Sequence, residues 1–178
     1  MAAANLFGVA AGIIGVHVGF QPMLRLRDRI VSQAQSSVVL RANRGGNPVA
    51  AACLDFAGNL FAATATAAAG WWAPAPLPVA VYRGWVGGIV SVDGNHQSRF
   101  STPASGLYYS FVLGLQLIAY ILLGGAGMSL GLARIRSEYR SSRLLDVPRQ
   151  AWRDAALIFV LVVPIFAVAS AVEFLWQP

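Results

Sequence analysis

Four apolar stretches, each about as long as a bilayer is thick, constrain this chain more than any other feature of its sequence. Crossing about 30 Å of hydrocarbon takes about twenty apolar residues at 1.5 Å rise per residue. Residues 2–20, 48–72, 107–132 and 155–176 meet that length. Lipid offers no partner to a backbone N–H or C=O, so such stretches must satisfy themselves as helices. Composition agrees: 57% of the residues are apolar and 11% charged, where a soluble domain carries about a quarter charged residues. The expected fold is all-α, a polytopic membrane helical bundle forming a single integral membrane domain over residues 1–178. The start, MAAANLFGVAAGIIGVHVGF, has no positive n-region, so a retained first span is expected rather than a cleaved signal. Cys53, the single cysteine, lies in an apolar run where it behaves as a small hydrophobe.

A fifth stretch, 77–92, is shorter, follows the turn sequence APAP and carries Arg83 near its centre. An arginine at mid-bilayer costs about 3 kcal/mol on insertion scales, so this segment is predicted to be a re-entrant or interfacial helix beside four spans. The arginine distribution gives the same count. Arg25, Arg27, Arg29, Arg41 and Arg44 precede the second span, and Arg134, Arg136, Arg140, Arg143, Arg149 and Arg153 lie about the link between the third and fourth. If 77–92 does not cross, both groups share one side, and the positive-inside rule makes that side the cytoplasm. Both termini and the link from Trp72 to Gly106 are then expected outside. Trp71, Trp72, Tyr108, Tyr109 and Trp176 fall at the outer ends and Trp152 at the inner end, as headgroup anchors would.

Polar residues within the spans are the strongest candidates for function. Asp55 and Glu173 are the acidic ones, with His17, Asn59 and Gln116 as companions. A carboxylate facing lipid is costly, so each must face the protein interior, a water-filled cavity or a partner. A proton or ion relay and a plain interhelical hydrogen-bond network are both compatible with the pattern. Asn59 follows Asp55 by four residues, which places the two on one helix face.

Small residues mark where helices approach closely. Gly8, Gly12, Gly15 and Gly19 recur through the first span, and Gly124, Gly127 and Gly131 through the third. Such faces let backbones meet in lipid, within the chain or against another integral membrane subunit. Pro164 is expected to kink the fourth span. Residues 23–44 alternate Met23, Leu26 and Ile30 against Arg25, Arg29 and Ser32, so Arg25, Arg27 and Arg29, with Arg134, Arg136 and Arg140 in the second basic link, are expected to reach lipid phosphates. Membrane orientation accounts for these clusters, and nucleic-acid binding is not expected.

No P-loop, H-E-x-x-H or cysteine pair is present, so neither an enzyme nor a cofactor or metal is expected. Asp93, Asn95, His96 and Arg99 gather in VDGNHQSRF, where Asp-Gly is also an ordinary turn signal.

The segment LQLIAYILLGGAGMSLG, with Gln116, Gly124, Gly127 and Gly131, and the ending AVASAVEFLWQP, with Glu173 and Pro178, resemble the C-terminal half of the stage II sporulation protein M family of bacterial integral membrane proteins. Gln116 stands at that family's glutamate position, and Val112 and Leu113 replace its histidine-glycine pair. The resemblance implies a multi-span, non-enzymatic component of a larger complex in the bacterial inner membrane, in contact with lipids and other membrane subunits. An accessory subunit of an energy-transducing assembly, respiratory or photosynthetic, fits that description. The alternative from the residues is a transport or channel component whose polar path runs through Asp55, Gln116 and Glu173.

Overall fold

The computed structural model describes residues 1–138 and 147–176. Its elements are α1 (Ala2–His17), α2 (Gln21–Gln35), α3 (Val38–Arg44), α4 (Pro48–Ala69), a 3-10 turn (Gly70–Trp72), α5 (Pro76–Ile89), α6 (Pro103–Glu138) and α7 (Arg149–Leu175). There is no strand among the described residues, only an isolated bridge between Val92 and Ser98. The protein is a helical membrane bundle. Three helical stretches, Pro48–Trp72, Pro103–Arg136 and Arg149–Leu175, are long and apolar enough to cross a membrane. A fourth is reached if α1 and α2, bent by 105°, count as one span.

Local chemistry sets the boundaries. Asn47 caps α4 by accepting from the Ala50 N–H at 3.0 Å, with Pro48 in the first turn. Ser37 does the same for α3, and Thr102 accepts from Ser105 N–H at the start of α6. The bend between α1 and α2 turns on Gly19, whose φ of +73° a side chain rarely adopts. Pro164 lies inside α7, which continues to Leu175 as one helix.

Contacts along the helices fix their directions. Asn59 meets Tyr120, Ala67 meets Gly127 and Gly70 meets Gly131, so α4 and α6 run parallel. Ser170 meets Asp55, and Val162 and Phe166 join Ala63, Ala119, Tyr120 and Leu123 in one buried core, so α7 runs against both. In the other half of the molecule Asn5 lies on Gly84 and Gly12 on Gly88, so α1 and α5 are a parallel pair. Arg83 of α5 stacks on Tyr120, and Gly87 faces Leu113, so that pair runs antiparallel to α6.

These directions bear on two expectations. The segment 77–92 forms α5, which lies along the length of α1 and turns Arg83 inward onto an aromatic ring, and it is not among the helices long and apolar enough to cross a membrane. The two arginine-rich links do not share one side. Trp71, expected outside, and Trp152, expected inside, have ring centroids 6.4 Å apart. At that first end of the bundle sit Met1, against Gly124, and Arg134, over Trp71. At the second end His17 meets Ser98, Asp28 faces His96, and Trp176 lies with Ala104 and Leu107. The described chain ends therefore lie at opposite ends of the bundle. The physical reason is that α5 returns the chain across the molecule, which the unfavourable insertion of Arg83 argued against only if that side chain faced lipid.

Candidate functional site

Between the α1–α5 pair and the α4–α6–α7 core lies a cavity of about 700 Å³. One face of α6 supplies its long wall through Tyr109, Val112, Gln116 and Tyr120, positions spaced to fall on the same side of a helix. Facing it, α5 presents Val79, Arg83, Val86 and Val90; Asn59 of α4 and Glu173 of α7 close the back, and Ile30 and Gln33 of α2 lie at the second end.

Two hydrogen-bonded groups form its polar lining and footing. In the first, Ser170 Oγ donates to Asp55 Oδ2 at 2.7 Å and Asn59 Nδ2 to the same oxygen at 2.9 Å. Tyr120 OH donates to Asn59 Oδ1 at 2.9 Å, and the Arg83 guanidinium lies 4.3 Å from the Tyr120 ring centre. In the second, Gln116 Nε2 donates to Glu173 Oε2 at 2.9 Å, and Tyr108 OH donates to the Glu173 carbonyl at 3.0 Å.

Beyond the cavity toward the first end the helices pack closely. Met1 lies against Gly124, and any Cβ on Gly127 or Gly131 would strike the backbone of Ala67 or Gly70. At the second end its lining continues to Arg99, whose Nε donates to the Val90 carbonyl at 2.8 Å and whose guanidinium lies 5.6 Å from the Tyr109 ring centre. Tyr109 OH reaches the Gly87 carbonyl across the cleft. The space is thus a cleft with the half-buried Arg83 in its wall and the exposed Arg99 at its second end.

Of the polar residues singled out in the spans, Asp55 and Asn59 come together in one group and Gln116 and Glu173 in the other. His17 joins neither: it is exposed at the second end, with Nδ1 toward the Ile13 carbonyl and Nε2 2.8 Å from Ser98 Oγ. Asp93 organises a turn by accepting from the N–H groups of Asn95 and Gln97. Arg25, Arg29 and Arg136 are exposed. Arg27 is fully buried and holds Asp28 at 2.5 Å, so it does not face lipid; Arg134 lies over Trp71, and Arg140 falls outside the described residues.

The glycines act inside the chain. Gly8 and Gly12 take α5 against their backbone, Gly127 and Gly131 take α4 and the 3-10 turn, Gly124 takes Met1, and Gly15 takes Met23. Gly19 serves the turn. Sequence reasoning missed Arg83, Tyr120 and Ser170 as partners of the polar residues. It also read Tyr108 and Tyr109 as headgroup anchors, whereas both hydroxyls point inward to backbone carbonyls. Four-residue spacing could reveal Asn59 beside Asp55; nothing local could bring Ser170 to them.

A family model described as Stage II sporulation protein M matches residues 1–178, the whole chain. No match was found among curated proteins or among solved structures.

Proposed function

The chain belongs to the stage II sporulation protein M family, and we propose that it is a non-enzymatic, multi-pass component of the bacterial inner membrane whose polar cleft receives a solute, as a transport component does. One observation carries this reading: four helices and a loop, remote in sequence, converge Asn59, Arg83, Arg99, Gln116 and Glu173 on one cavity of about 700 Å³. Ionisable groups in membrane helices are expensive, and their usual place is a solute or ion path. A cavity of that size falls in the range of about 300–1,000 Å³ that small-molecule sites occupy.

The competing reading, a passive accessory scaffold, drew on glycine faces available to neighbouring subunits. Those faces lie against this chain's own helices. In the proposed role, lipids cover exposed apolar residues such as Phe61, Phe111 and Val168, and other membrane subunits bind without the glycines.

Thiol accessibility tests it. In a Cys53→Ala background, Val112→Cys and Leu117→Cys place thiols in the cleft, and Val168→Cys places one on the exposed face of α7. A charged thiol reagent needs water and a thiolate. We expect the cleft thiols to react from one side of sealed vesicles and the α7 thiol from neither. Cleft thiols as inert as the α7 thiol from both sides would overturn the reading.

A further inference from the structure

We propose that the cleft binds an organic monoanion, a carboxylate or phosphate diester with an apolar body, through Arg83. The proposal rests on the cleft being a solute site and adds the chemistry of its occupant.

The donors in the deep half of the cleft lead to it. Tyr120 gives its hydroxyl hydrogen to Asn59, Asn59 gives an amide hydrogen to Asp55, and Gln116 gives one to Glu173. Each finds a protein acceptor. Arg83, with five N–H donors, has a ring face beside it and, among the described residues, neither a hydrogen bond nor a carboxylate within ion-pair distance. Asp55, in the floor, already accepts from Ser170 and Asn59 on one oxygen. A half-buried guanidinium in a membrane bundle favours an anionic acceptor, and its planar fork fits a carboxylate or phosphate with two parallel hydrogen bonds.

Charge and shape narrow the class. Arg83 and Arg99 line the cleft together with Glu173, and Asp55 beneath it is already held by Ser170 and Asn59, so the half-buried Arg83 is the guanidinium left to pair with a single negative charge. Arg99 is exposed at the second end, placed to draw an anion toward the half-buried Arg83. Between the two arginines the walls are apolar, with Val86, Val112, Leu113 and Leu117. An inorganic ion would leave those walls wet, whereas an aliphatic body of several carbons would cover them.

The test uses the full chain in phosphatidylcholine nanodiscs and equilibrium dialysis with labelled octanoate or octyl methyl phosphate, with octyl glucoside as the uncharged equivalent. We expect saturable binding of both anions and none of the glucoside. Arg83→Gln should weaken binding at least tenfold, Arg83→Lys less, and Arg99→Gln about twofold to threefold. Leu117→Phe, which narrows the cleft without altering charge, should weaken octanoate binding in a protein whose Arg83 is intact, so the test does not hang on one variant folding. Phosphatidylglycerol that displaces octanoate would identify a lipid headgroup as the source of the anion; octanoate binding indifferent to it would identify a soluble one. Binding unchanged in Arg83→Gln, equal binding of octyl glucoside, or displacement by inorganic phosphate at equal concentration would overturn the proposal. Cleft thiols that react while no anion binds would refute this inference alone and leave the solute-cleft reading standing.

Discussion

The α1–α5 pair and the α4–α6–α7 core solve the same problem in opposite ways. Lipid is as apolar as leucine, so helices inside it gain little from hiding apolar surface and must associate by contact and hydrogen bonding. The pair does so with backbone: Gly8 and Gly12 on α1 and Gly84 and Gly88 on α5 leave no room for a Cβ. The core does so with side chains, stacking Tyr120 on Phe166 at 5.2 Å between ring centroids and linking three helices through Asp55, Asn59, Ser170 and Tyr120. A backbone contact is close and uniform, whereas large side chains leave gaps where they stop. The cleft lies at the seam, where α5 is drawn tightly to α1 and stands away from α6. A rigid pair beside a side-chain core therefore produces a cavity without a dedicated loop to build it.

The largest effects concern which parts share an end. In the Cys53→Ala background, Trp72→Cys and Trp152→Cys should both be labelled from one side of sealed vesicles and Gln97→Cys from the other. Labelling of Trp72→Cys together with Gln97→Cys, with Trp152→Cys reached from the opposite side, would mean that α5 does not return the chain across the bundle, and the comparison would collapse.

Next come the glycines. Gly12→Ala or Gly88→Ala should destabilise the protein by about 3 kcal/mol, the upper end of overpacking, because the opposing atoms are backbone and cannot rotate away. Gly114 has nothing within 4 Å of its would-be Cβ, so Gly114→Ala should be neutral or gain up to about 1 kcal/mol in helix propensity. Reversible unfolding in mixed micelles measures both. Equal effects at Gly12 and Gly114 would show that the pair is not held by backbone proximity. In the core, Phe166→Ala should cost about 2 kcal/mol, less than the 3–5 kcal/mol of a water-soluble core, because separated helices remain in lipid and mainly the cavity term is left.

The helices themselves were legible because a span needs only length and apolarity, and stretches 48–72, 107–132 and 155–176 have both. Their arrangement was not. Hydropathy treats a helix as a uniform cylinder, so Arg83 counted against a returning α5 although its side chain lies on Tyr120. Tyr108 and Tyr109 sit near a helix start, where belt aromatics also sit, and only tertiary structure shows their hydroxyls meeting α7 and α5. Asp55 with Asn59 follows from helical periodicity; Gln116 with Glu173 is separated by 57 residues and has no periodic signature. The arginine asymmetry is weak for a related reason: it depends on the number of crossings, and the direction of one segment exchanges the sides of everything after it.

Within the core, Asp55→Ala removes the acceptor shared by Ser170 and Asn59. Interhelical hydrogen bonds in membrane proteins average about 0.6 kcal/mol and reach about 1.7, so the loss should be about 1–2 kcal/mol, smaller than that of Gly12→Ala. A double-mutant cycle with Ser170→Ala should return a coupling of about 0.6 kcal/mol; none would mean that the network contributes position without stability.

The smallest effect belongs to the seam. The last turn of α5 leaves carbonyls without intrahelical partners, as every helix end does. Val90 N–H takes the Val86 carbonyl, Ser91 takes Gly88, Arg99 takes Val90, and Tyr109 OH takes Gly87 from across the cleft. Tyr109→Phe removes that last donor and nothing else. In a dry interior the stranded carbonyl would cost about 1–3 kcal/mol; in a water-filled cleft, solvent replaces the hydroxyl and the loss falls below about 1 kcal/mol. Gly87 lines the cavity, so we expect the smaller value from the same unfolding measurement. A loss well above it would mean a dry seam closed by direct contact, and the backbone pair and side-chain core would then be one continuous packing unit rather than two walls of a solute site.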